Sequence, residues 1–498
     1  MTFEQLLDGA EVLARNGDPV VSSVEYDSRR VKLGSVFVAM RGEASDGNKF
    51  IDQAIAAGAV AVVTDSAEEK PRANVGWAVV PHGRRALARV SANLYKKPAE
   101  RIAVTGITGT NGKSTTAFLI EAILTASRRK SALVGTIEYH VAGKVLPAPH
   151  TTPEALDLNR IFSEALGNGA TEVVMEVSSH ALAQERVYGV PFDVAVFTNL
   201  TRDHLDYHKT MEEYFAAKRA LFEGCGTDAP RAVVTNADDE WGAKVAEFSR
   251  KRTSVVLKYG WERGDLHAEK VEITTRGTRF DLVTPREKIA VFSALIGRVN
   301  VYNILAAAGA GYARGCTAQG IAEGIGKLTS VPGRFERVDC GQPFTVVVDY
   351  AHTDDALRNL TALARELVSC AGSKGRVLTV FGCGGDRDRK KRPLMGEAAG
   401  RGSDFVVLTS DNPRSEDPLA IINDAVVGLQ KTNAKYSVEP DRRKAIALAI
   451  GEARPGDIVL LAGKGHEKVQ VTREGTAPFD DLEVAREALR GAGFECGK

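Results

Sequence analysis

Short apolar runs rich in Val and Ile recur along the chain, and stretches with helical periodicity separate them. Strands that are buried on both faces of a parallel sheet show this near-continuous apolar pattern. In the middle of the chain the pattern predicts strands at Ile102–Thr105, Leu133–Thr136, Val173–Val177 and Val194–Thr198. The sequence therefore predicts an α/β fold with a parallel sheet in its central part.

The same pattern divides the chain into three α/β domains. It predicts further strands and one helix outside the central part, at Ser35–Met40, Ala59–Thr64, Thr345–Val348, Val377–Phe381, Phe405–Thr409 and Ile458–Leu461, with the helix at Phe50–Ala57. Lys96-Lys97-Pro98 and Val331-Pro332-Gly333-Arg334 are interpreted as linkers, because proline removes an amide donor and restricts the residue before it. We predict domains at 1–98, 99–330 and 331–498, with a central P-loop-type parallel sheet and a C-terminal Rossmann-like domain.

The composition argues against several classes of function. Lys and Arg number 65 and Asp and Glu 64, so the net charge of +1 gives no electrostatic case for nucleic acid or an acidic membrane surface. The longest apolar stretch, near Ala54–Val63, is far shorter than the roughly 20 residues that span a bilayer, and the first residues lack signal-peptide features. The six cysteines follow no regular spacing, so neither a disulfide framework nor a zinc site is expected. We expect a cytoplasmic protein without membrane insertion.

The strongest local signal is a glycine-rich loop, Thr105–Thr115, which follows a predicted strand and opens a helix. Backbone N–H groups of such a loop bind phosphates, Lys113 would reach the β- and γ-phosphates, and Ser114 would ligate magnesium. The strict consensus needs glycine at position 107, where this chain has Ile107. A chance glycine turn is the alternative, which the order of strand, loop and helix disfavours.

Two other strands of the predicted central sheet also lead into polar residues. Glu176 lies in an apolar strand, where a carboxylate is costly unless it is paired or bound to a metal. His204 follows the next strand, in a loop that taken alone would be a solvated turn. Because the carboxyl ends of parallel strands meet at one edge, Ser114, Glu176 and His204 together suit magnesium that also holds ATP oxygens.

Lys218 lies on the apolar face of a helix predicted at Met211–Gly224, together with Phe215 and Phe222. One explanation is a lysine whose stem packs on the helix while its ammonium reaches water. The other is a chemically altered lysine, for instance a carbamylated one that directs negative charge toward magnesium. The pattern alone does not choose between them.

Ten segments, taken in order, resemble those of the Mur ligases. They cover the chain from about residue 26 to 470 and are TGTNGKST, MEVSSHAL, NLTRDHLDYH, YFAAKRALF, GRVNVYN, VPGRFERV, DYAHTDDAL, FGCGGDRDRKKRPLM, SDNPR and AGKGHE. The resemblance implies an ATP-dependent amide-bond ligase of peptidoglycan precursor synthesis. Its reaction would add meso-diaminopimelate to the D-glutamate of UDP-N-acetylmuramoyl-L-alanyl-D-glutamate through an acyl phosphate.

The resemblance also implies roles for single residues, with ATP bound by the middle domain, UDP by the first and the amino acid by the third. The implied catalytic residues are Lys113, Glu176, His204 and Lys218. The resemblance further implies that Lys218 is carbamylated and that Glu176, His204 and Lys218 ligate Mg²⁺ together with Ser114. The implied nucleotide contacts are Gly109, Thr110, Asn111, Gly112, Lys113, Ser114, Thr115, Asn303, Arg334 and Asp349. The implied contacts to the UDP-sugar dipeptide are Ser28, Thr151, Thr152, Ser178, Gln184 and Arg186. The loop Glu43-Ala44-Ser45 departs from the family's usual residues.

Three loops of the last domain follow strand ends and should meet at one rim to bind the amino-acid acceptor. The predicted acceptor contacts are Arg387, Asp411, Asn412, Pro413, Arg414, Gly463 and Glu467. Arg414 offers a planar fork for a carboxylate, and Asn412 and Glu467 would bind the remote carboxylate and ammonium of diaminopimelate. The tetrapeptide DNPR resembles the family's signature for diaminopimelate over lysine, although Asn-Pro is also ordinary turn chemistry.

Two alternative functions stay open at this point. One is a related ligase with another acceptor, such as lysine or a folyl-glutamate chain. The other is a P-loop NTPase that acts as a regulatory or binding module. We expect a monomer whose partners are small-molecule substrates.

Overall fold

A computed structural model describes residues 1–42, 45–274, 276–370 and 375–496, with only the backbone described at Cys370. Of the loop Glu43-Ala44-Ser45, the first two residues lie outside the described residues. The described chain forms three main sheets and a separate two-stranded hairpin. The predicted α/β class is therefore confirmed, while the domain boundaries stay a prediction.

The first sheet is built from the N-terminal part of the chain. Its strands and helices are α1 (Phe3–Leu6), β1 (Ala14–Asn16), β2 (Ser23–Glu25), β3 (Ser35–Ala39), α2 (Ile51–Ala56), β4 (Ala59–Thr64), β5 (Gly76–Val79) and α3 (Gly83–Leu94), with short 3-10 turns at Ser28–Arg30, Gly47–Phe50 and Pro98–Glu100. The strand order is β1-β5-β4-β3-β2, and only β1 is antiparallel to its neighbour. The predicted strands are β3 and β4, and β3 is buried at every position.

The second sheet is the largest. Its elements are β6 (Ala103–Thr108), α4 (Lys113–Ala126), β7 (Ser131–Val134), β8 (Glu138–Val141), β9 (Lys144–Pro147), α5 (Ala155–Gly167), β10 (Glu172–Glu176), α6 (Ser179–Ala183), β11 (Val194–Phe197), α7 (Leu205–His208), α8 (Met211–Glu223), β12 (Ala232–Asn236), α9 (Glu240–Ser249), β13 (Val255–Gly260), β14 (Leu266–Thr274), β15 (Gly277–Val283), β16 (Lys288–Ser293), α10 (Arg298–Ala313) and α11 (Ala318–Lys327). The order is β16-β15-β14-β13-β12-β11-β6-β10-β7-β8-β9. The strands from β14 to β7 run parallel, whereas β8, β9, β15 and β16 add antiparallel edges that the apolar pattern did not predict.

Helices cover both faces of the parallel part of this sheet. In β10, Val174 packs in the hydrophobic core that contains α4 and α10 residues. Its neighbours Val173 and Met175 pack in the opposite core, with residues of α5 and α8. Because both faces are buried, every position of the strand must be apolar or paired, which explains the continuous apolar runs.

The third sheet and the hairpin form the C-terminal part. The elements are β17 (Glu336–Val338), β18 (Thr345–Asp349), α12 (Asp354–Cys370), β19 (Val377–Phe381), α13 (Lys391–Gly402), β20 (Phe405–Leu408), α14 (Pro418–Leu429), β21 (Lys435–Val438), α15 (Arg442–Glu452), β22 (Ile458–Ala462), β23 (Val469–Thr472), β24 (Gly475–Pro478) and α16 (Asp481–Gly491). The sheet order is β17-β18-β22-β19-β20-β21, parallel except for β17, and β23 pairs with β24.

One pair of cysteines contradicts the expected absence of disulfides. Cys340 and Cys496 are joined by a disulfide across 156 residues of sequence, and Phe344 and Phe494 pack edge to face beside it. Spacing along the chain could not predict this bond, because the fold alone brings the two segments together. In the described part of the chain, no helix is both long and apolar enough to cross a lipid bilayer.

Candidate active site

The loop between β6 and α4 has a shape that requires glycine at two positions. Gly109 and Gly112 have φ angles of +150° and +86°. A Cβ on Gly109 would lie 1.9 Å from Thr198 Oγ1, and one on Gly112 would lie 2.4 Å from Asn303 Oδ1. The loop leads directly into the N-terminus of α4 at Lys113, where main-chain N–H groups attract phosphate.

Lys113 folds back over this loop. Its Nζ donates hydrogen bonds to the carbonyl oxygens of Gly109 and Thr110, at 3.0 and 2.9 Å. Burial lowers the pKa of Lys113, and the nearby Glu176 acts against that change. The ammonium thus lies in the cavity that the glycine-rich loop lines, where it can meet phosphate oxygens.

Ser114, Glu176 and His204 line the same cavity, of about 280 Å³, and we refer to it as the nucleotide cavity. Glu176 is only 1% exposed, and its carboxylate oxygens accept hydrogen bonds from the N–H and Oγ1 of Thr136, at 2.8 and 2.9 Å. Ser114 Oγ accepts a hydrogen bond of 3.3 Å from Arg334. Burial lowers the pKa of His204 to about 3, so its imidazole is neutral and able to ligate a metal.

This donor set fits a divalent cation that takes further ligands from its surroundings. A carboxylate, a hydroxyl and a neutral imidazole are all ligands of hard or borderline cations. Within the described ranges, no group of three or more His, Cys, Asp or Glu side chains is arranged to hold a metal. Further ligands would therefore have to come from groups other than these side chains.

Lys218 is buried in α8 and does not reach water. It is 1% exposed, its Nζ donates to the carbonyl oxygen of Gly109 at 2.8 Å, and it lies 4.5 Å from the Tyr214 ring centroid. No carboxylate of the described residues lies within ion-pair distance of it. Burial, followed by the charge of Lys113, holds the pKa of Lys218 well below its ordinary value. The explanation of a lysine that reaches water is therefore wrong, and an unpaired buried amine remains to be explained.

Three more residues predicted to contact the nucleotide also line the nucleotide cavity. Asn303 is buried in α10, Asp349 ends β18, and the Arg334 guanidinium stacks 4.7 Å from the Tyr350 ring centroid. Asp349 accepts hydrogen bonds from the N–H groups of Phe335 and Ala351, and burial raises its pKa. Apolar lining by Leu360 and Leu363 of α12, which the sequence did not predict, gives the cavity a face for a base ring.

Five of the predicted UDP-sugar contacts lie together near the end of β10. Thr152 Oγ1 donates to the Glu176 carbonyl oxygen at 2.9 Å and accepts from the Ser178 N–H at 3.1 Å. Arg186 donates to the Thr152 carbonyl oxygen at 3.0 Å and to Gln184 Oε1 at 2.8 Å. Thr151 Oγ1 lies 3.1 Å from Thr136 Oγ1.

Ser28 stands apart from that group. It lies in the first part of the chain, where its hydroxyl donates to Gln53 Oε1 at 3.3 Å. Ser28 belongs to the part of the chain that forms the first sheet, and the other five residues belong to the part that forms the second. A substrate that contacts all six must therefore span both parts.

The predicted acceptor residues surround a second cavity of about 200 Å³, which we call the acceptor cavity. Its lining includes Arg387, Asp411, Asn412, Arg414, Gly463 and Glu467. Arg414 donates from Nη1 to the Gly385 carbonyl oxygen at 2.7 Å, and burial together with Arg387 lowers its pKa. Pro413 packs against Gly385 rather than lining the cavity. Asp203 and His204 line both cavities, so the two are adjacent.

Loops of the second and third sheets contact each other around these cavities. Asn111 donates to Asp355 at 3.1 Å, Arg202 pairs with Asp388 at 3.3 Å, and Lys391 pairs with Asp203 at 3.4 Å. The sequence did not predict these partners, although Arg202, Asp203, Asp388 and Lys391 stand in segments that carried the resemblance. These pairs could not be predicted, because the partners are far apart in sequence and only the folded chain brings them together.

Three family models match the chain. The Mur ligase family catalytic domain matches residues 20–95, the Mur ligase middle domain matches 107–311, and the Mur ligase glutamate ligase domain matches 333–465.

Similar proteins match almost the whole chain. The UDP-N-acetylmuramoyl-L-alanyl-D-glutamate--2,6-diaminopimelate ligase of Solibacter usitatus (strain Ellin6076) is 55% identical over 475 residues, which cover 95% of this chain and 94% of that protein. The ligase of the same name from Geobacillus thermodenitrificans (strain NG80-2) is 46% identical and covers 96% of both. A solved structure of a ligase of this name has a TM-score of 0.68 at 33% identity and covers 99% of both chains.

Proposed function

This chain belongs to the Mur ligase family, and we propose that it is the ATP-dependent member that joins meso-diaminopimelate to the D-glutamate of UDP-N-acetylmuramoyl-L-alanyl-D-glutamate. The observation that carries the proposal is the acceptor cavity. It presents two guanidinium groups, Arg387 and Arg414, together with Asn412 and Glu467, and it adjoins the nucleotide cavity. This set matches an amino acid whose remote end carries both a carboxylate and an ammonium.

The proposed reaction has two steps. The D-glutamyl carboxylate attacks the γ-phosphorus of ATP, and ADP leaves as an acyl phosphate forms. An amine of diaminopimelate then attacks that carbonyl carbon, and phosphate leaves from the tetrahedral intermediate. Phosphoryl transfer depends chiefly on positioning and charge neutralisation, for which the glycine-rich loop and Lys113 are placed.

Mg²⁺ is part of the proposal. Ser114, Glu176, His204 and a carbamylated Lys218 would hold it, and when bound it neutralises charge on the phosphates. Carbamylation of Lys218 is favoured because burial lowers its pKa, which makes the nucleophilic, uncharged amine more accessible, and the carbamate it forms with carbon dioxide is an anion near His204 and Lys113. The contacts of Asn111 with Asp355 and of Asp203 with Lys391 would keep water from the acyl phosphate.

The remaining parts of the proposal concern the other substrate and the setting. Thr151, Thr152, Ser178, Gln184 and Arg186 would bind the UDP-sugar dipeptide together with Ser28. We also propose that the protein is cytoplasmic, since ATP and nucleotide-activated sugars are cytoplasmic metabolites. We further propose that it acts as a monomer.

Release of ADP from the purified protein tests this function. With ATP, Mg²⁺ and the UDP-muramoyl dipeptide present, amino acids are added one at a time, and the product is identified by mass. We expect sustained ADP release only with the dipeptide and meso-diaminopimelate together. Equal release with lysine or glutamate indicates another acceptor, and release without dipeptide or amino acid indicates a regulatory NTPase.

A further inference from the structure

A lysine that the acceptor proposal does not use lies directly behind the acceptor cavity. Lys464 follows β22, its side chain is 0% exposed, and it does not line the cavity. Its Nζ lies 3.0 Å from Asn412 Oδ1, 3.3 Å from Asp411 Oδ1 and 3.4 Å from Glu467 Oε2. All three partners belong to the acceptor cavity, so its three ammonium protons have three acceptors there.

The first consequence concerns the direction of the Asn412 amide. Its Oδ1 accepts hydrogen bonds from Lys464 Nζ and from the Val471 N–H, both at 3.0 Å. The amide NH₂ is therefore directed the other way, and Nδ2 donates to Glu467 Oε2 at 2.8 Å. One N–H of the amide remains for a ligand, so Asn412 is held as a donor suited to a carboxylate.

The second consequence concerns charge. Asp411 and Glu467 carry two negative charges at the cavity, and Lys464 supplies one positive charge beside them. An incoming ammonium would meet these two carboxylates, while the guanidinium groups of Arg387 and Arg414 also line the cavity. Without Lys464, the carboxylates of Asp411 and Glu467 would lose the cation that lies 3.3 and 3.4 Å from their oxygens.

We propose that Lys464 is a positioning residue that sets the acceptor preference. By fixing Asn412 as a donor and by holding the Glu467 carboxylate in place through an ion pair, it arranges the cavity for an acceptor whose remote end carries both a carboxylate and an ammonium. Lys464 touches no substrate and acts through its two partners. The inference rests on the proposed acceptor.

The test compares Lys464→Met, which keeps the length and loses the charge and donors, with the full-length wild type. Values of kcat/KM are measured for three acceptors: meso-diaminopimelate, L-lysine, which lacks the remote carboxylate, and L-2-aminopimelate, which lacks the remote ammonium. We expect the wild type to prefer diaminopimelate strongly over both. In the variant we expect a loss of about ten- to a hundredfold for diaminopimelate, mainly in KM, and a much smaller loss for the other two.

Two controls separate positioning from a general structural effect. Lys468→Met removes an exposed lysine of the same loop, which pairs with Asp480, and should leave all three acceptors unchanged. The KM values for ATP and for the UDP-muramoyl dipeptide should stay within about twofold in both variants. If Lys464→Met fails to fold, two other variants replace it: Lys464→Arg, which restores the charge and the donors, and Lys464→Gln, which restores donors without the charge. We then expect the kcat/KM ratios among the acceptors to be nearer the wild-type ratios in Lys464→Arg than in Lys464→Gln.

The outcomes distinguish this inference from the function it rests on. A wild type that prefers lysine overturns both. A wild type that prefers diaminopimelate, with acceptor ratios unchanged in Lys464→Met or equal in the Arg and Gln variants, overturns the role of Lys464 alone. An equal loss for ATP, dipeptide and all acceptors also overturns it, because that result indicates a structural role only.

Discussion

The buried Lys218 Nζ donates a hydrogen bond to the carbonyl oxygen of Gly109, 2.8 Å away in the loop that opens α4. This contact joins α8 to the glycine-rich loop. Among the described residues, Lys218 has no carboxylate within ion-pair distance, and burial, followed by the charge of Lys113, lowers its pKa.

We expect Lys218→Ala to lose at least about a hundredfold in turnover, because its carbamate would be missing beside the phosphates. Addition of a small carboxylate such as acetate should restore part of the activity. In the wild type, a carbamate carbon signal should appear in NMR after growth on labelled bicarbonate. Lys144→Ala, at an exposed position of β9, is the control. An unmodified amine in active enzyme at saturating bicarbonate contradicts the assignment.

Lys113→Ala should reduce product formation by at least about a hundredfold while the protein stays folded. The reason is that Lys113 Nζ lies in the nucleotide cavity, hydrogen-bonded only to the loop carbonyls of Gly109 and Thr110 among its described contacts. Thermal unfolding and ADP release measured on the same sample check this. Near-normal turnover would rule out the P-loop assignment.

Arg414→Ala should raise the KM for meso-diaminopimelate about ten- to a hundredfold and narrow the preference over lysine. A hydrogen bond to a charged group contributes roughly 1.5–3 kcal/mol, and lysine lacks the carboxylate that Arg414 would bind. The KM for ATP should change little, because Arg414 lines the acceptor cavity and not the nucleotide cavity. The measurement is kcat/KM for both amino acids in both proteins. Retention of the full preference by the variant would refute the role of Arg414.

His140 gives a prediction about stability rather than activity. Burial alone would lower the pKa of His140, but hydrogen bonds to Glu121 and Glu138, of 2.7 and 2.9 Å, outweigh it and raise the pKa to about 9. Because the folded value lies above the ordinary value of 6.5, the stabilisation is complete below about pH 6.5 and is lost as the pH rises through 9. Because His140 is partly exposed to solvent, its protonated form should stabilise the folded protein by about 1–3 kcal/mol.

Thermal unfolding from pH 5.5 to 9.5 compares the wild type with His140→Gln. The difference in Tm should be largest at the acidic end and shrink toward pH 9.5. A constant difference would show that His140 has the same pKa in the folded and unfolded chains, and would contradict the prediction.

The sequence predicted the strands and loops whose local residue pattern directly reflects their place in the fold. Strands such as β10 and β19 are buried at every position, so their sequences carry the apolar runs on which the prediction relied, and loops at parallel strand ends share an edge. The strand β14, which lies between β13 and β15, was not predicted, because charged residues at its exposed positions interrupt the continuous apolar run on which the prediction relied.

Contacts that only the tertiary structure creates gave no signal. Lys464 stands in a glycine-rich loop where a solvated lysine is the ordinary interpretation, and only the approach of the Asp411–Asn412 loop makes it a buried partner. The Cys340–Cys496 bond and the Lys391–Asp203 pair are likewise formed by segments more than 150 residues apart.

The adjacency of Asp203 and His204 has a thermodynamic consequence. Asp203 pairs with Lys391 at the start of α13, and Asp203 and His204 both line both cavities. We therefore expect that the first ligand to bind positions a loop that the second ligand also contacts, so that nucleotide and acceptor increase each other's affinity. Linkage requires this factor to be the same in both directions. Calorimetric titration of each ligand in the presence and absence of the other measures that factor from both directions.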